Sequence, residues 1–434
     1  MDVYNLISFC GIFLLAGFAW LLSVDRRSVK WRLLGWGVGI QLIFAAFIFL
    51  FPAGTSLFLV ANDAIVTLLD AATAGSRFLF GRLALPPGTT GVAGETSLGF
   101  ILAFQAFPTI VFFSALMAIL YYYGIMQRII RVFARFFSRF MGVSGAESLV
   151  AASNIFAGVE SALTVRPFLA TMTRSELCTI LTVGMATVSS NVMALYVFTL
   201  KPQFPTIAGH LMSASILSAP AALVLSKFLV PETGQPETFG LAVTPEVERE
   251  SSLFEAIINA SNTGIRVIVG ISGLLLAVLG LVALADLLLS GAGGYLNALL
   301  GTTLPCTFRD ILGLVFYPFT LALGIPPEDA GLIARLIGER IVLTEVVSYQ
   351  DLSAALAAKQ IIHPRSAVIA AYALCGFAHV ASMAIFVGGV AALAPGRTSD
   401  LSGVALRSLV AATLACLMTA CVAGTFYTGN ALLF

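Results

Sequence analysis

The sequence predicts an all-α polytopic membrane protein. It has eight transmembrane helices, two opposed re-entrant hairpins in an inverted repeat, and interfacial helices. Three observations carry this. The 434 residues are 59% hydrophobic and 10% charged, against roughly 25% charge in a soluble domain. The apolar residues fall into many separate segments of spanning length. Two further apolar stretches, 143–170 and 329–361, are long but interrupted, the first by Asn154, Gly158 and Glu160, the second by Gly338, Glu339, Arg340 and Glu345. Straight lipid-facing helices seldom carry such residues near their middle, whereas hairpins buried in protein do.

The eight spans are 4–24, 33–52, 98–123, 176–200, 209–230, 264–290, 367–394 and 405–429. The first follows Met-Asp-Val-Tyr with no basic region and reads as a retained helix rather than a cleaved signal. Residues 53–97 read as external, with "LALPPGTTGVAGETS" a flexible loop by its Pro, Gly and Thr. Orientation follows Lys and Arg. "DRRSVKWR" places the end of the first span in the cytoplasm. "MQRIIRVFARFFSRF" sets Arg128, Arg131, Arg135 and Arg139 between Ile and Phe, an amphipathic basic segment on the inner leaflet. The polar stretch 231–252 and "APGRTSD" then fall inside, and both termini outside. Trp20, Trp31 and Trp36 suit interface anchoring. The six cysteines are scattered through apolar runs as buried, inert thiols rather than a disulfide or zinc framework. A net charge of +1 suggests no nucleic-acid partner.

Two segments match each other weakly. One is "GVES…TRSELCTILTVGMATVSSNVMALYV" and the other is "VLTEVV…PRSAVIAAYALCGFAHVASMAIFV". Each gives a glutamate in a broken stretch, then Arg-Ser, then a span with mid-helix Gly and small polar residues ending in Met-Ala. By the orientation above the two spans run in opposite directions. An inverted pair of this kind points to a transporter with its site at the bilayer midplane. Thr187, Ser189, Ser190 and Asn191 interrupt one span and Gly376, His379 and Ser382 the other. Ser and Thr bond back to helix carbonyls without breaking a helix, but four polar residues in five positions predict unwinding.

"NIFAGVES…VRPFL", "SELCTILTVGMATVSSNV", "HLMSASILSAPAALVLSKFLVPET", "LIGERIVLTEVVSYQDL" and "YALCGFAHVASMAI" resemble, in order and over roughly 95–430, the concentrative nucleoside transporter family. The resemblance implies a homotrimer in which each protomer binds one nucleoside between the hairpin tips and the unwound helices. It implies Glu160 as the base-side glutamate, Val159 beside it at the tip, and Val192 as an apolar contact to the base. Glu345 and Ser382 become ribose contacts, with Phe377 and His379 in the pocket. Asn154 and Thr187, with the carbonyls of Ala157 and Val188, become sodium ligands. An ionised carboxylate accepts both hydroxyls of a ribose diol, and sodium favours hard oxygen donors. The family reads Gly-Gln-Thr-Glu at the first tip, where this chain has the shorter Gly158-Val159-Glu160; His379 and Thr344 stand where the family has Asn. Base and sugar recognition are both altered.

The function expected is cation-coupled import of nucleosides or nucleoside-like solutes by alternating access across the inner membrane. Sodium is the favoured coupling ion, the proton the alternative, and no further cofactor is expected. A proton-coupled transporter of a modified nucleoside is the runner-up. A membrane enzyme using Glu160, Glu345 and His379, or a channel or sensor on the same scaffold, stands behind it; no HExxH motif or nucleophile elbow is present. The chain divides into scaffold helices and amphipathic segment (1–142), first transport repeat (143–230), cytoplasmic loop with scaffold helix and interfacial segment (231–328), and second transport repeat (329–434). His210 and His363 read as interfacial, Glu255, Glu328 and Asp329 as solvent-facing or capping, and Glu339 with Arg340 as a structural pair.

Overall fold

The computed structural model describes residues 2–91, 94–241, 243–244, 250–301 and 307–429, without the side chains of residues 159, 296–298 and 300. Cys306 and part of the 231–252 stretch lie outside the described residues. Among the described residues the regular structure is helical: α1 (Val3–Leu21), α2 (Trp31–Leu50), α3 (Pro52–Phe80), α4 (Leu102–Gln105), α5 (Phe107–Tyr122), α6 (Ile125–Met141), α7 (Gly145–Asn154), α8 (Arg174–Ala186), α9 (Ser190–Leu200), α10 (Ile207–Leu229), α11 (Leu253–Leu300), α12 (Phe308–Ala322), α13 (Pro327–Val342), α14 (Glu345–Ala357), α15 (Pro364–Leu374), α16 (Val380–Leu393) and α17 (Thr398–Phe426).

Eight helices are long and apolar enough to cross a membrane, but they are not the eight expected. The expected span 367–394 is two short helices, α15 and α16, parted at Cys375–His379. In its place stands α3, within the stretch 53–97 expected to be external. The turn residues of that region begin only after the 3-10 turn Gly81–Ala84. Periodicity was masked in α3 by its mixture of small and polar residues. The contacts of α3 show how it lies. Phe58 packs on Gly209 and His210, Asn62 accepts from the Gly209 N–H, and Asp70 pairs with Lys201 at 2.9 Å. These contacts fall over 12 residues, about 18 Å of helix, and α3 also packs on α2 and α5.

The amphipathic segment is α6, a helix bounded at each end by a left-handed glycine, Gly124 (φ 73°) and Gly142 (φ 64°). Met126, Ile130, Ala134, Phe137 and Met141 are buried on one stripe, and Arg128, Arg135 and Arg139 are exposed. The thiols of Cys178, Cys375, Cys416 and Cys421 are free and buried as expected; Cys10, on the outer face of α1, is exposed.

Each interrupted stretch is a hairpin. The first is α7, a turn at 155–158 and the 3-10 segment Val159–Phe168; the second is α13, a turn at Leu343–Thr344 and α14. Their arms of 10 to 16 residues are about 15 to 24 Å long, too short to span about 30 Å of hydrocarbon. Capping fixes where the arms begin. Ser144 and Glu147 form a capping box on α7, and Thr173 and Glu176 one on α8. The Ser144 hydroxyl also donates to Glu176 at 2.6 Å, tying the base of hairpin 1 to the start of α8. Lys227 of α10 closes the cluster, 2.6 Å from Glu147 and 3.0 Å from Glu232. In the second repeat Asp329 does this work: it accepts from the Ile362 and His363 N–H groups and the Ser366 hydroxyl, tying hairpin 2 to the start of α15. The core sits around α8–α9, α10 and α17, whose spans are 83 to 89% buried, against 17% for α11.

Candidate functional site

The tips of the two hairpins approach the two helix breaks. In the first repeat α8 ends at Ala186, Thr187 is extended (φ −113°, ψ 159°), and α9 restarts from Ser189. The Ser190 N–H donates to the Phe156 carbonyl at 3.1 Å, joining the tip of hairpin 1 to the break. The tip is tight: a side chain at Gly158 would sit 3.3 Å from Ser189 Cβ and from a Glu160 carboxylate oxygen. Two turns along α9, the Tyr196 hydroxyl donates to Glu345 Oε1 at 2.5 Å, and its ring stacks on Tyr349 at 4.7 Å. Helix α9 is thus the common wall. Ser189, Val192 and Tyr196 recur at helical spacing along one face and span about 10 Å.

At the second break His379 is the N-cap of α16, and its Nδ1 accepts from the Ser382 N–H at 3.1 Å. The acceptor role of Nδ1 leaves the ring hydrogen on Nε2. Nε2 lies 3.2 Å from Glu345 Oε2, and both side chains are buried, at 0% and 1% exposure. The ring N–H is not directed along that line, so neither atom is hydrogen-bonded. The pair is an electrostatic contact with a donor and an acceptor left open side by side. Phe377, half-buried, meets His379 edge-to-face at 4.6 Å. Thr344, immediately before Glu345, has φ 152°, and its hydroxyl is buried without a partner. A β-branched residue there is strained by roughly 1–3 kcal/mol.

At the first break the Asn154 amide donates to the Val183 carbonyl at 2.7 Å and to the Thr187 hydroxyl, while its Oδ1 accepts from Ser161 at 2.9 Å. Which end of an amide carries oxygen is set by its partners. A half-turn would hand Nδ2 to Ser161, which also accepts, and bring Oδ1 beside Thr187 Oγ1 and the Val183 carbonyl. Oxygens gathered in this way repel one another unless a cation sits among them. The donor set is neutral, hard and suited to sodium rather than to a transition metal.

The structure therefore brings Asn154 and Thr187 into contact, and Glu345, His379 and Phe377 into a second group. Val188 is buried at the break, its carbonyl reached by Ser215 at 3.5 Å. Val192 is buried on α9, and Ala157 lies in the tip of hairpin 1. Glu160 is exposed at that tip, with no recorded contact to Glu345; Val159's side chain lies outside the described residues. The Ser382 hydroxyl is spent locally, donating to the His379 carbonyl at 2.7 Å. Sequence reasoning missed Tyr196, Ser161 and Ser215, which are common residues in apolar helices with no local signal. Glu339 and Arg340 are not a pair: Glu339 is 3.4 Å from Arg309, and Arg340 donates to the Ala373 carbonyl at 2.6 Å. Side chains at neighbouring helix positions point about 100° apart, which separates them. His210 is not interfacial but buried among Phe49, Phe58, Phe204 and Tyr372. A cavity of about 270 Å³ lies well away, between Lys30, Arg32, Arg139 and Glu232.

The chain is similar to known membrane transporters. The family model for the Na+ dependent nucleoside transporter C-terminus matches residues 210–424, the N-terminus model residues 10–83, and a nucleoside-recognition (Gate) model residues 103–203. Solute carrier family 28 member 3 of Mus musculus is 35% identical over 434 residues, 97% of this chain; the chain spans 58% of that relative's length. An uncharacterized transporter of Haemophilus influenzae is 35% identical over 423 residues, covering 96% of this chain and 97% of its own. CNTnw in an inward-facing substrate-bound state superposes with TM-score 0.86 at 34% identity, over 98% of each chain. A doubly substituted CNTnw in an outward-facing state superposes with TM-score 0.88 at 34% identity, over 99% of each. This multi-pass membrane protein belongs to the concentrative nucleoside transporter family, a family of transporters and not of enzymes.

Proposed function

We propose that the protein imports nucleosides or nucleoside-like solutes, driven by sodium, by alternating access across the inner membrane. The observation that carries the reading is the buried pair of open groups at the second break. Glu345 Oε2 is an acceptor and His379 Nε2 a donor, 3.2 Å apart and without hydrogen bonds. Adjacent hydroxyls of a ribose, each both donor and acceptor, satisfy them together. The base would lie along Val192 toward the tip that carries Val159 and Glu160. Phe377 would wall the sugar end, and Ser382 would hold His379 in place. Sodium would take Thr187 Oγ1, the Asn154 amide oxygen and the carbonyls of Ala157 and Val188. A doubly protonated His379 could not cap α16 through Nδ1, which favours sodium over a proton carried by this ring. In this reading 143–230 and 329–434 move substrate, and 1–142 and 231–328 hold the frame. The apolar outer face of α11, exposed at Leu276, Leu281 and Leu287, is available to a homotrimer contact. The basic stretches Arg26–Arg32 and α6 set the cytoplasmic side, with both termini outside.

The test is uptake of labelled uridine and adenosine into proteoliposomes. Accumulation should require an inward sodium gradient. Accumulation unchanged when choline replaces sodium, with pH and potential fixed, refutes sodium coupling, and accumulation driven by a pH gradient alone supports the proton. Binding of nucleosides without accumulation refutes transport.

A further inference from the structure

We propose that Arg340 is a resident cation, standing in the second repeat where the first repeat holds its exchangeable sodium. The inference rests on the sodium reading above and extends it to a site that reading does not use. A shift of 190 positions superposes the two broken helices: Met193-Ala194 falls on Met383-Ala384, the N-cap Ser189 on the N-cap His379, and Val183 on Ala373. Those last two carbonyls are where the hairpins reach in. In the first repeat Asn154, the final residue of α7, donates to the Val183 carbonyl at 2.7 Å. In the second Arg340, in the final turn of α13, donates to the Ala373 carbonyl at 2.6 Å. Both hairpins thus grip the carboxyl end of the half-helix they face, at the same position of the repeat.

What differs is charge. The carboxyl end of a helix carries the equivalent of about half a negative charge. The Asn154 amide is neutral and leaves that charge on α8 to be met by a mobile cation. The Arg340 guanidinium carries a full, permanent positive charge to the end of α15. Its burial is complete, and among the described residues no carboxylate lies within ion-pair distance of it. Its Nε and one terminal nitrogen have no hydrogen-bond partner. A buried charge without a counter-ion is costly unless something offsets it. Here the Ala373 carbonyl, near the broken end of α15, is that offset, as it would be for a bound ion. The tethered charge leaves the second repeat with no vacancy, so each protomer has a single exchangeable sodium.

Two measurements on the full-length protein test this. Equilibrium binding of radioactive sodium to purified wild type should give one ion per protomer. Two would overturn the proposal while leaving sodium coupling intact, and none would refute the sodium reading itself. In proteoliposomes, Arg340→Ala should lose uptake by about a hundredfold, and Arg340→Lys should stay within about fivefold of wild type. Millimolar guanidinium should restore Arg340→Ala at least tenfold, and urea, neutral and of the same shape, should not. Wild-type sodium dependence in Arg340→Ala, or equal rescue by urea, overturns the proposal. Should Arg340→Ala fail to give a monodisperse protein, Arg340→Gln takes its place against Arg340→Lys, and equal loss in those two overturns it.

Discussion

Replacing Glu345 by Gln changes one atom and reverses one hydrogen-bonding role. In the native site Oε1 accepts from Tyr196 at 2.5 Å and Oε2 stands 3.2 Å from His379 Nε2, with both side chains buried. An amide has one acceptor where the carboxylate has two. If its oxygen faces Tyr196, its NH2 faces the His379 N–H, donor against donor. If it turns round, the Tyr196 hydroxyl loses its acceptor. Either way the acceptor for a sugar hydroxyl is gone or misplaced. A lost hydrogen bond to a charged group is worth about 1.5–3 kcal/mol, or roughly 10- to 150-fold in affinity. The loss should be selective. Uridine should bind and be taken up 10- to 150-fold more weakly, by calorimetry and by KM. A 2′,3′-dideoxynucleoside, which lacks the diol, should weaken less than about threefold. Apparent sodium affinity should stay within threefold, because the Asn154–Thr187 group makes no contact with Glu345. Equal weakening of the ribo- and dideoxy compounds would refute the argument, since Glu345 would then act through the fold and not through a diol.

Four further outcomes follow from the same geometry. His379→Asn keeps a good N-cap for α16 but withdraws the ring from Glu345, so the melting temperature should hold while the ranking of ribo- and deoxynucleosides changes by about tenfold; an unchanged ranking assigns His379 to capping alone. Thr187→Val removes one oxygen at constant shape and should raise the sodium concentration for half-maximal uptake by about tenfold, with the KM at saturating sodium moving little. Thr344→Gly replaces a β-branched residue at φ 152°, ψ 162°, backbone open essentially to glycine alone, and should stabilise the protein by about 1 kcal/mol in a thermal melt. Glu232 lies beyond the end of α10; burial pushes its carboxyl up, but Lys227 and the Thr173 hydroxyl outweigh burial and hold it below the usual carboxylate range. Its stabilisation is present above the unfolded pKa and is lost as pH falls through the folded one, so the gap in melting temperature between wild type and Glu232→Gln should be open at pH 7 and close below about pH 4.5.

Much of the frame was legible because membrane folding leaves few choices. Lipid cannot satisfy a free backbone group, so an apolar run with Asn154, Gly158 and Glu160 inside it had to turn back within protein, and it does. The breaks at Thr187–Ser189 and Cys375–His379 were legible for the same reason: clustered small polar residues offer the freed backbone alternative partners. Where the sequence misled, at α3, the difficulty was physical. Length and hydropathy ask only whether a helix could cross, and Phe58, Asn62 and Asp70, which tie α3 to the bundle, are spread along it with partners some 130 to 150 residues away in the chain.

The site separates in the same way. Residues whose chemistry conflicts with an apolar surrounding announce themselves, as Glu345 and His379 did. Residues that resolve such a conflict do not. Tyr196 reads as one more aromatic in "MALYVFTL" until its hydroxyl is found on Glu345, and Ser161 as a small residue until it is found on Asn154. Arg340 shows the limit most clearly. Beside Glu339 in sequence it invites the inference of a local pair, because opposite charges in an apolar stretch need compensation. Helical geometry sends the two in different directions, and each finds its compensation on another element, Glu339 at Arg309 and Arg340 at the carbonyl end of α15. The sequence states that a buried charge must be compensated; only the fold states by what, and in this protein the second answer is the one that bears on how many ions it can carry.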